Sequence, residues 1–277
     1  MNHHTSATTP GPGLDIDQLR GLRRLPHDLD LIRCRIADHL DDVDGYIAFS
    51  GGKDSLTVLH LALQVDPHIP VVFFDSGLEF PETYTYISDL VDAWHLNWQP
   101  APPTISILEA MLSGGAWDHH APTAPGVQHT FMDAVAAAHT RHGPGELWGV
   151  RATESKGRAA CYRTALAHHQ CACCTNYPQR ATRHGGRYSR ADGTTVYGPV
   201  WNWPDRDVWS YIAAHRLPLN PVYAKLRALG VPDHFLRISQ MIDGGRLEEG
   251  RAVWLKRGWP HLYEELRTLL PRLHEYT

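Results

Sequence analysis

Nowhere in its 277 residues does this sequence carry an apolar run near the roughly 20 residues that a bilayer-spanning helix needs. The first 13 residues, small and rich in Pro and Gly, lack the apolar core of a secretory signal. The expected compartment is therefore the cytoplasm, and residues 1–13 are expected to form a disordered tail. An excess of one charge is also missing. With 26 Lys and Arg against 30 Asp and Glu, the net charge of -4 excludes coating of nucleic acid by bulk charge, although a local basic patch remains open. Cysteine is scarce at five residues, an odd set that argues against a disulfide framework. The Walker spacing G-x-x-x-x-G-K-[ST] is not found either, which removes the P-loop NTPase reading.

What is there begins with the apolar run Tyr46–Phe49, which breaks into Ser50-Gly51-Gly52-Lys53-Asp54-Ser55 and then into a helical pattern from Leu56 to Leu63. A strand, a glycine turn and a helix start together make an anion cradle, because the turn exposes successive amide N–H groups and the helix adds its positive end. Glycine has no Cβ to hold an anion away. Lys53 supplies a point charge, while Ser50 and Ser55 supply hydroxyl donors. A second run, Val71–Phe74, ends in Asp75-Ser76-Gly77 and is followed by Pro81, well placed at the first turn of a helix. Two successive strand-to-helix units predict a parallel sheet with both loops at its carboxyl edge, and hence Asp75 beside the glycine turn. Helices are expected before the first strand, over Tyr84–Trp94 and over Thr130–Arg141, with a weak strand near Asn97–Gln99.

The third unit is a strand over Glu146–Val150 running into Arg151-Ala152-Thr153-Glu154-Ser155-Lys156-Gly157-Arg158. Arg151 leaves the strand where open parallel sheets build their sites, and Arg158 follows within a turn or two of helix. The two guanidinium forks could clamp a phosphate or sulfate, the plainer alternative being a surface pair between Arg151 and Glu154. Cys161, Cys171, Cys173 and Cys174 offer enough thiols for a [4Fe–4S] cluster or zinc. Their spacing matches neither a paired C-x2-C zinc site nor a ferredoxin, so unliganded thiols stay open as well. The basic stretch Arg180–Arg190 reads as a glycine-containing loop able to hold a polyanionic acceptor, nucleic acid included, with a solvated surface hairpin as the alternative. A late strand over Val196–Trp201 precedes a helix with Pro204 and Asp205 in its first turn.

Ser50–Ser55 resembles the Ser-Gly-Gly-x-Asp-Ser PP-loop of the ATP pyrophosphatase superfamily. Asp75–Thr83 resembles the Asp-[Ser/Thr]-Gly-x-x-Phe-Pro-Glu-Thr signature of its phosphoadenosine phosphosulfate (PAPS) reductase branch. Gly149–Arg158 is similar to that family's arginine segment, and Trp201–Tyr223 to a third block shared with the small subunit of ATP sulfurylase. The resemblance implies an α/β fold, an open and mainly parallel twisted sheet with helices on both faces. Residues 14–225 would form the nucleotide-binding domain and 226–277 a helical extension. It implies ATP or a sulfonucleotide such as PAPS held by Ser50–Ser55, Asp75, Ser76, Gly77, Arg151, Ser155 and Arg158. Mg²⁺ would be placed with the help of Asp54, and Lys53, Asp54, Arg151 and Arg158 would act in catalysis. The expected partners are the nucleotide, a nucleic-acid or protein acceptor at residues 180–190, and a second copy or subunit. The family's reductases use a cysteine in a C-terminal Glu-Cys-Gly-[Leu/Ile]-His segment, whereas no cysteine follows Cys174 in these residues. The expectation is accordingly adenylylation of an acceptor in sulfur-transfer chemistry, with a sulfonucleotide reductase using another thiol, or a non-catalytic nucleotide-binding subunit, as alternatives.

Overall fold

The computed structural model of the chain describes residues 20–114, 132–168, 175–242 and 250–277. Helix α1 (Leu29–Asp42) begins where the Asp28 carboxylate accepts the Leu31 amide, a side-chain cap for one of the donors a helix start leaves unpaired, and it drives Ile32 and Ile36 into the core. Strands β1 (Gly45–Ala48), β2 (Pro70–Phe73), β3 (Asn97–Pro100), β4 (Gly145–Leu147), β5 (Arg187–Ser189) and β6 (Thr195–Tyr197) form one sheet in the order β3-β2-β1-β4-β6-β5. Every neighbouring pair is parallel except β5 with β6. In this register Ile47 lies beside Val71 on one side and Leu147 on the other.

From β1 the chain moves outward through α2 (Lys53–Leu63) to β2, and through α3 (Pro81–Trp94) to β3. It then crosses by α4 (Ile107–Gly114) and α5 (Met132–His142) to β4, on the opposite side of β1. The direction of winding therefore reverses between β1 and β4, and a crevice opens outside their carboxyl ends. Because strand side chains alternate, Ile47 faces a core shared with α1, α2, α3 and with α8 (Asp205–Ala214), while Tyr46 faces Ala138 of α5. Tyr188 and Val196 pack under Tyr162 of α6 (Lys156–His168). Helices thus cover both faces, and the α/β class read from the sequence holds.

Two local expectations change. The strand expected over Glu146–Val150 ends at Leu147. The basic stretch is not a loop: its first part belongs to α7 (Tyr177–His184), which ends in a glycine pair, and Arg187–Ser189 is the antiparallel edge strand of a hairpin with β6. The strand expected over Val196–Trp201 is likewise shorter, at Thr195–Tyr197. Beyond α8, helices α9 (Val222–Ala228), α10 (Arg251–Gly258) and α11 (Pro260–Leu269) build a second apolar cluster. That cluster includes Leu226, Leu255 and Tyr263, and it closes on Leu78, Phe80 and Trp209 of the α/β part. Lys225 Nζ and Trp259 Nε1 both donate to Glu82 Oε1 at 2.8 Å, tying these helices to α3. Among the described residues no helix is long and apolar enough to cross a membrane.

Candidate active site

A cavity of about 970 Å³ opens at the carboxyl ends of β1 and β4. Three segments wall it: the glycine turn after β1, residues 148–158 after β4, and residues 233–239 ahead of α10. The turn starts where the Phe49 amide makes its last sheet bond, 2.8 Å to the Val72 carbonyl. Gly51 then takes φ +72°, a left-handed conformation that a Cβ would strain. Two amides of the turn are used internally, for Ser55 Oγ accepts from the Ser50 N–H at 3.2 Å and the Tyr223 hydroxyl accepts from the Lys53 N–H at 3.0 Å. The amides of Gly52 and Asp54, both cavity-lining residues, have no acceptor among the described residues. They belong to the start of α2, where no intrahelical acceptor exists. Gly149 lies directly against this helix start, since a Cβ on it would fall 2.5 Å from the Ser55 nitrogen.

Four charged side chains interlock beneath the turn. Lys53, only 7% exposed, sets its Nζ 2.8 Å from Asp54 Oδ2 and 3.0 Å from Asp205 Oδ1. Arg151, 3% exposed, donates from Nε to Asp54 Oδ1 at 2.6 Å and from Nη2 to Asp205 Oδ1 at 3.0 Å. Its Nη1 donates to the Trp203 carbonyl at 3.0 Å and to Thr153 Oγ1 at 2.9 Å. Burial by itself would lower the pKa of Lys53, but the Asp54 carboxylate, then Tyr223 and Asp205, outweigh it and raise the value, so Lys53 stays an ammonium. Burial pushes Asp205 up, and the Lys53 ammonium followed by the Arg151 guanidinium brings it below the ordinary aspartate range. The cluster is an array of two cations and two anions at one end of the cavity.

The other expected site residues divide. Arg158 reaches the cavity, and it is paired with Glu154, whose carboxylate also accepts the Arg151 backbone amide at 3.1 Å. The alternative of an Arg151–Glu154 side-chain pair is not found, because the Arg151 guanidinium turns inward to the two aspartates. Ser155 does not line the cavity. Its Oγ accepts the Arg158 amide at 3.1 Å ahead of α6, which is a helix cap. Asp75, Ser76 and Gly77 are also absent from the cavity wall. Asp75 Oδ1 accepts the Gly77 amide at 2.9 Å and the Tyr84 hydroxyl at 2.7 Å, and Ser76 Oγ donates to Glu79 Oε1 at 2.8 Å. These contacts hold the shape of their own loop. Of the cysteines, Cys161 is exposed on α6 with its Sγ 3.8 Å from the Tyr188 hydroxyl, while Cys171, Cys173 and Cys174 lie outside the described residues. Among the described residues no cysteine lines the cavity.

Sequence reasoning missed Asp205, read only as an acid in a first helical turn, and Tyr223, named only as the end of the third family block. It also missed Glu146. This buried carboxylate sits in the middle of β4 and pairs with Arg190 Nη1 at 2.8 Å, so one residue of the basic stretch is drawn into the cavity wall beside Trp148. Nothing in the spacing around Asp205 and Tyr223 distinguishes them from ordinary helix-start and core residues. Glu146 does carry a signal, since a lone acid inside an apolar strand needs a partner.

The sequence model of the phosphoadenosine phosphosulfate reductase domain matches residues 45–231. A phosphoadenosine 5'-phosphosulfate reductase of Xanthomonas campestris pv. campestris is 30% identical over 219 residues, which is 76% of this chain and 78% of that protein. A sulfate adenylyltransferase subunit 2 of Streptomyces lavendulae is 30% identical over 227 residues, 75% of this chain and 67% of that protein. Among solved structures, a phosphoadenylyl-sulfate reductase from Candida auris in a phosphate complex aligns with a TM-score of 0.48 at 15% identity, covering 79% of this chain and 97% of that one.

Proposed function

The chain belongs to the phosphoadenosine phosphosulfate reductase family, and from that premise we propose that it binds an adenine nucleotide in the cavity and transfers its adenylyl group to an acceptor. The observation that carries this reading is the pairing, at the switch point of the sheet, of unpaired turn amides with the Lys53 ammonium and the Arg151 guanidinium. Donors fixed before substrate arrives stabilise charge without reorganising, which is the largest single term in many transfer reactions. The amides of Gly52 and Asp54 with Lys53 would take the β- and γ-phosphate oxygens. The acceptor's nucleophile forms a bond to the α-phosphorus as the bond to the bridging oxygen breaks. Pyrophosphate leaves with the electron pair, and AMP remains on the acceptor. Sulfur replacing that AMP would complete a sulfur-transfer sequence.

Mg²⁺ suits the residues present. It favours oxygen ligands and is commonly held by one or two carboxylates plus substrate phosphates, and Asp54 stands at the phosphate end. When bound there it would neutralise phosphate charge, while Arg151 holds Asp54 in place. Among the described residues no group of three or more His, Cys, Asp or Glu could hold a metal ion. For the acceptor, Arg190 at the cavity wall supports an approach along the former basic loop, now the β5 edge. The relative named as a subunit supports work in a complex.

Incubation with α-labelled ATP and Mg²⁺ tests the proposal, with release of pyrophosphate and retention of label on an acceptor or as AMP expected. A second reading, reduction of PAPS or adenylylsulfate, is favoured by the names of the curated relatives. That chemistry needs a thiolate nucleophile, and Cys171, Cys173 and Cys174 lie outside the described residues. Sulfite released from PAPS in the presence of thioredoxin would establish that reading and overturn ours. Tight nucleotide binding with neither product would leave a regulatory subunit.

A further inference from the structure

Asp205 comes from α8, a different part of the chain from both the glycine turn and the arginine segment, and yet its carboxylate lies between their cations. A single oxygen, Oδ1, is 3.0 Å from Lys53 Nζ and 3.0 Å from Arg151 Nη2, while Oδ2 accepts from Trp209 Nε1 at 2.7 Å. The side chain is 48% exposed and lines the cavity. An oxygen bridging a lysine and an arginine at the mouth of an amide cradle stands where a phosphate oxygen would stand.

We propose that Asp205 is a resident anion of the phosphate site, occupying the seat between Lys53 and Arg151 so that an incoming polyphosphate must displace its carboxylate in order to bind. This rests on the reading of the cavity as a phosphate-binding site, and it adds a selectivity that the reading does not contain. A small anion with one or two charges gains little by exchanging with a carboxylate already tethered there. A polyphosphate, which also reaches the amides of Gly52 and Asp54, gains enough to move it. Trp209 strengthens the hold, for its indole N–H is in a buried residue and loses its acceptor when Asp205 swings out.

A purely structural role for Asp205, keeping Lys53 and Arg151 aligned, makes the opposite prediction. Alignment does not depend on it alone. Asp54 grips both cations through its two oxygens, Arg151 Nε at 2.6 Å and Lys53 Nζ at 2.8 Å, and Arg151 is further fixed by Thr153 and the Trp203 carbonyl. Removing the Asp205 charge therefore leaves the cations in place with one counter-anion fewer, and repulsion between a carboxylate and a phosphate a few ångströms apart disappears.

The test is calorimetric titration of inorganic pyrophosphate and of inorganic phosphate into the full chain, comparing wild type with Asp205→Asn and Asp205→Glu, each checked for an unchanged thermal unfolding transition. Asp205→Asn is expected to bind pyrophosphate at least tenfold more tightly, with a larger relative gain for phosphate. Asp205→Glu, which keeps the charge, is expected to bind no more tightly than wild type. Equal or weaker binding by Asp205→Asn, or an equal gain in Asp205→Glu, overturns the proposal while wild-type binding of pyrophosphate leaves the phosphate-site reading standing. If neither wild type nor Asp205→Asn binds pyrophosphate, both fall. If only Asp205→Asn binds, the resident-anion proposal is supported in its strongest form. Should Asp205→Asn not fold, Asp205→Ser serves in the same comparison, because the position is half exposed.

Discussion

The loops that follow β1 and β2 are built to one recipe and put to two uses. Each leaves a buried strand, turns on a glycine at φ +72°, Gly51 in one and Gly77 in the other, and enters a helix. In the first, the amides of Gly52 and Asp54 have no acceptor among the described residues and the charged side chains converge on the cavity. In the second, the polar groups are consumed. Asp75 closes on Gly77 and Tyr84, Ser76 on Glu79, and Glu79 Oε2 accepts the Gln240 amide at 3.1 Å while the Leu78 carbonyl accepts that of Met241 at 2.7 Å. The second loop thus fastens Gln240 and Met241, which directly follow the segment 233–239 that walls the cavity. What separates the two loops is position. β1 is at the point where the winding reverses and has a neighbour on each side that leads the chain away, whereas β2 is one strand further out.

Arg151→Ala strikes the first loop hardest. It removes one member of a buried ionic cluster and leaves Asp54 and Asp205 with Lys53 alone, so a loss of about 3 kcal/mol is expected. The low end of the range for broken buried pairs applies because both aspartates are partly exposed. Urea unfolding would show it, and a loss under ~1 kcal/mol would mean that the cluster contributes little to the fold.

In the second loop Glu79 gives the next effect. Burial is the main cause that pushes its pKa up from 4.5 to about 7, against the hydrogen bonds from Ser76 and the Gln240 amide. A folded state that keeps a proton which the unfolded chain releases is most stable below about 4.5 and loses that contribution as the pH rises to about 7. The expected loss is on the order of 2 kcal/mol, discounted from the full shift. Unfolding free energies measured across this window should slope downward in the wild type and flatten in Glu79→Gln. An unchanged slope in the variant would place its origin elsewhere.

Lys53→Ala is expected to weaken binding of adenine nucleotide at least tenfold, about 1.4 kcal/mol, by fluorescence or calorimetric titration; unchanged affinity would contradict its phosphate role. The smallest effect belongs to Asp75→Ala. With two hydrogen bonds lost at a loop surface, about 1 kcal/mol of stability should go and nucleotide affinity should hold within about twofold. A tenfold loss of affinity there would erase the distinction between the two loops.

Much of this was legible before any coordinates. The strand, glycine and helix order around Ser50–Ser55, Pro81 at the head of α3, and the arginine leaving β4 are local patterns, and each is found where the pattern puts it. The direction in which Arg151 points was not legible. A surface pair with Glu154 satisfies the same spacing, and only the approach of Asp54 and Asp205 from other elements makes the inward rotamer the better one. Arg190 is similar: within its own stretch it reads as one of several solvated bases, and the buried Glu146 across the sheet recruits it.

The sequence by itself determined the parallel α/β plan and the strand, glycine turn and helix start at Ser50–Ser55, because chain period, glycine conformation and helix-start amides depend on neighbours a few residues away. Tertiary structure alone decided that Tyr223 takes the Lys53 amide, that Gly149 lies against the start of α2, and that Asp205 sits between the two cations. Those contacts join residues 54 to 170 positions apart, and electrostatics and close packing act through distance in space, which local sequence does not encode.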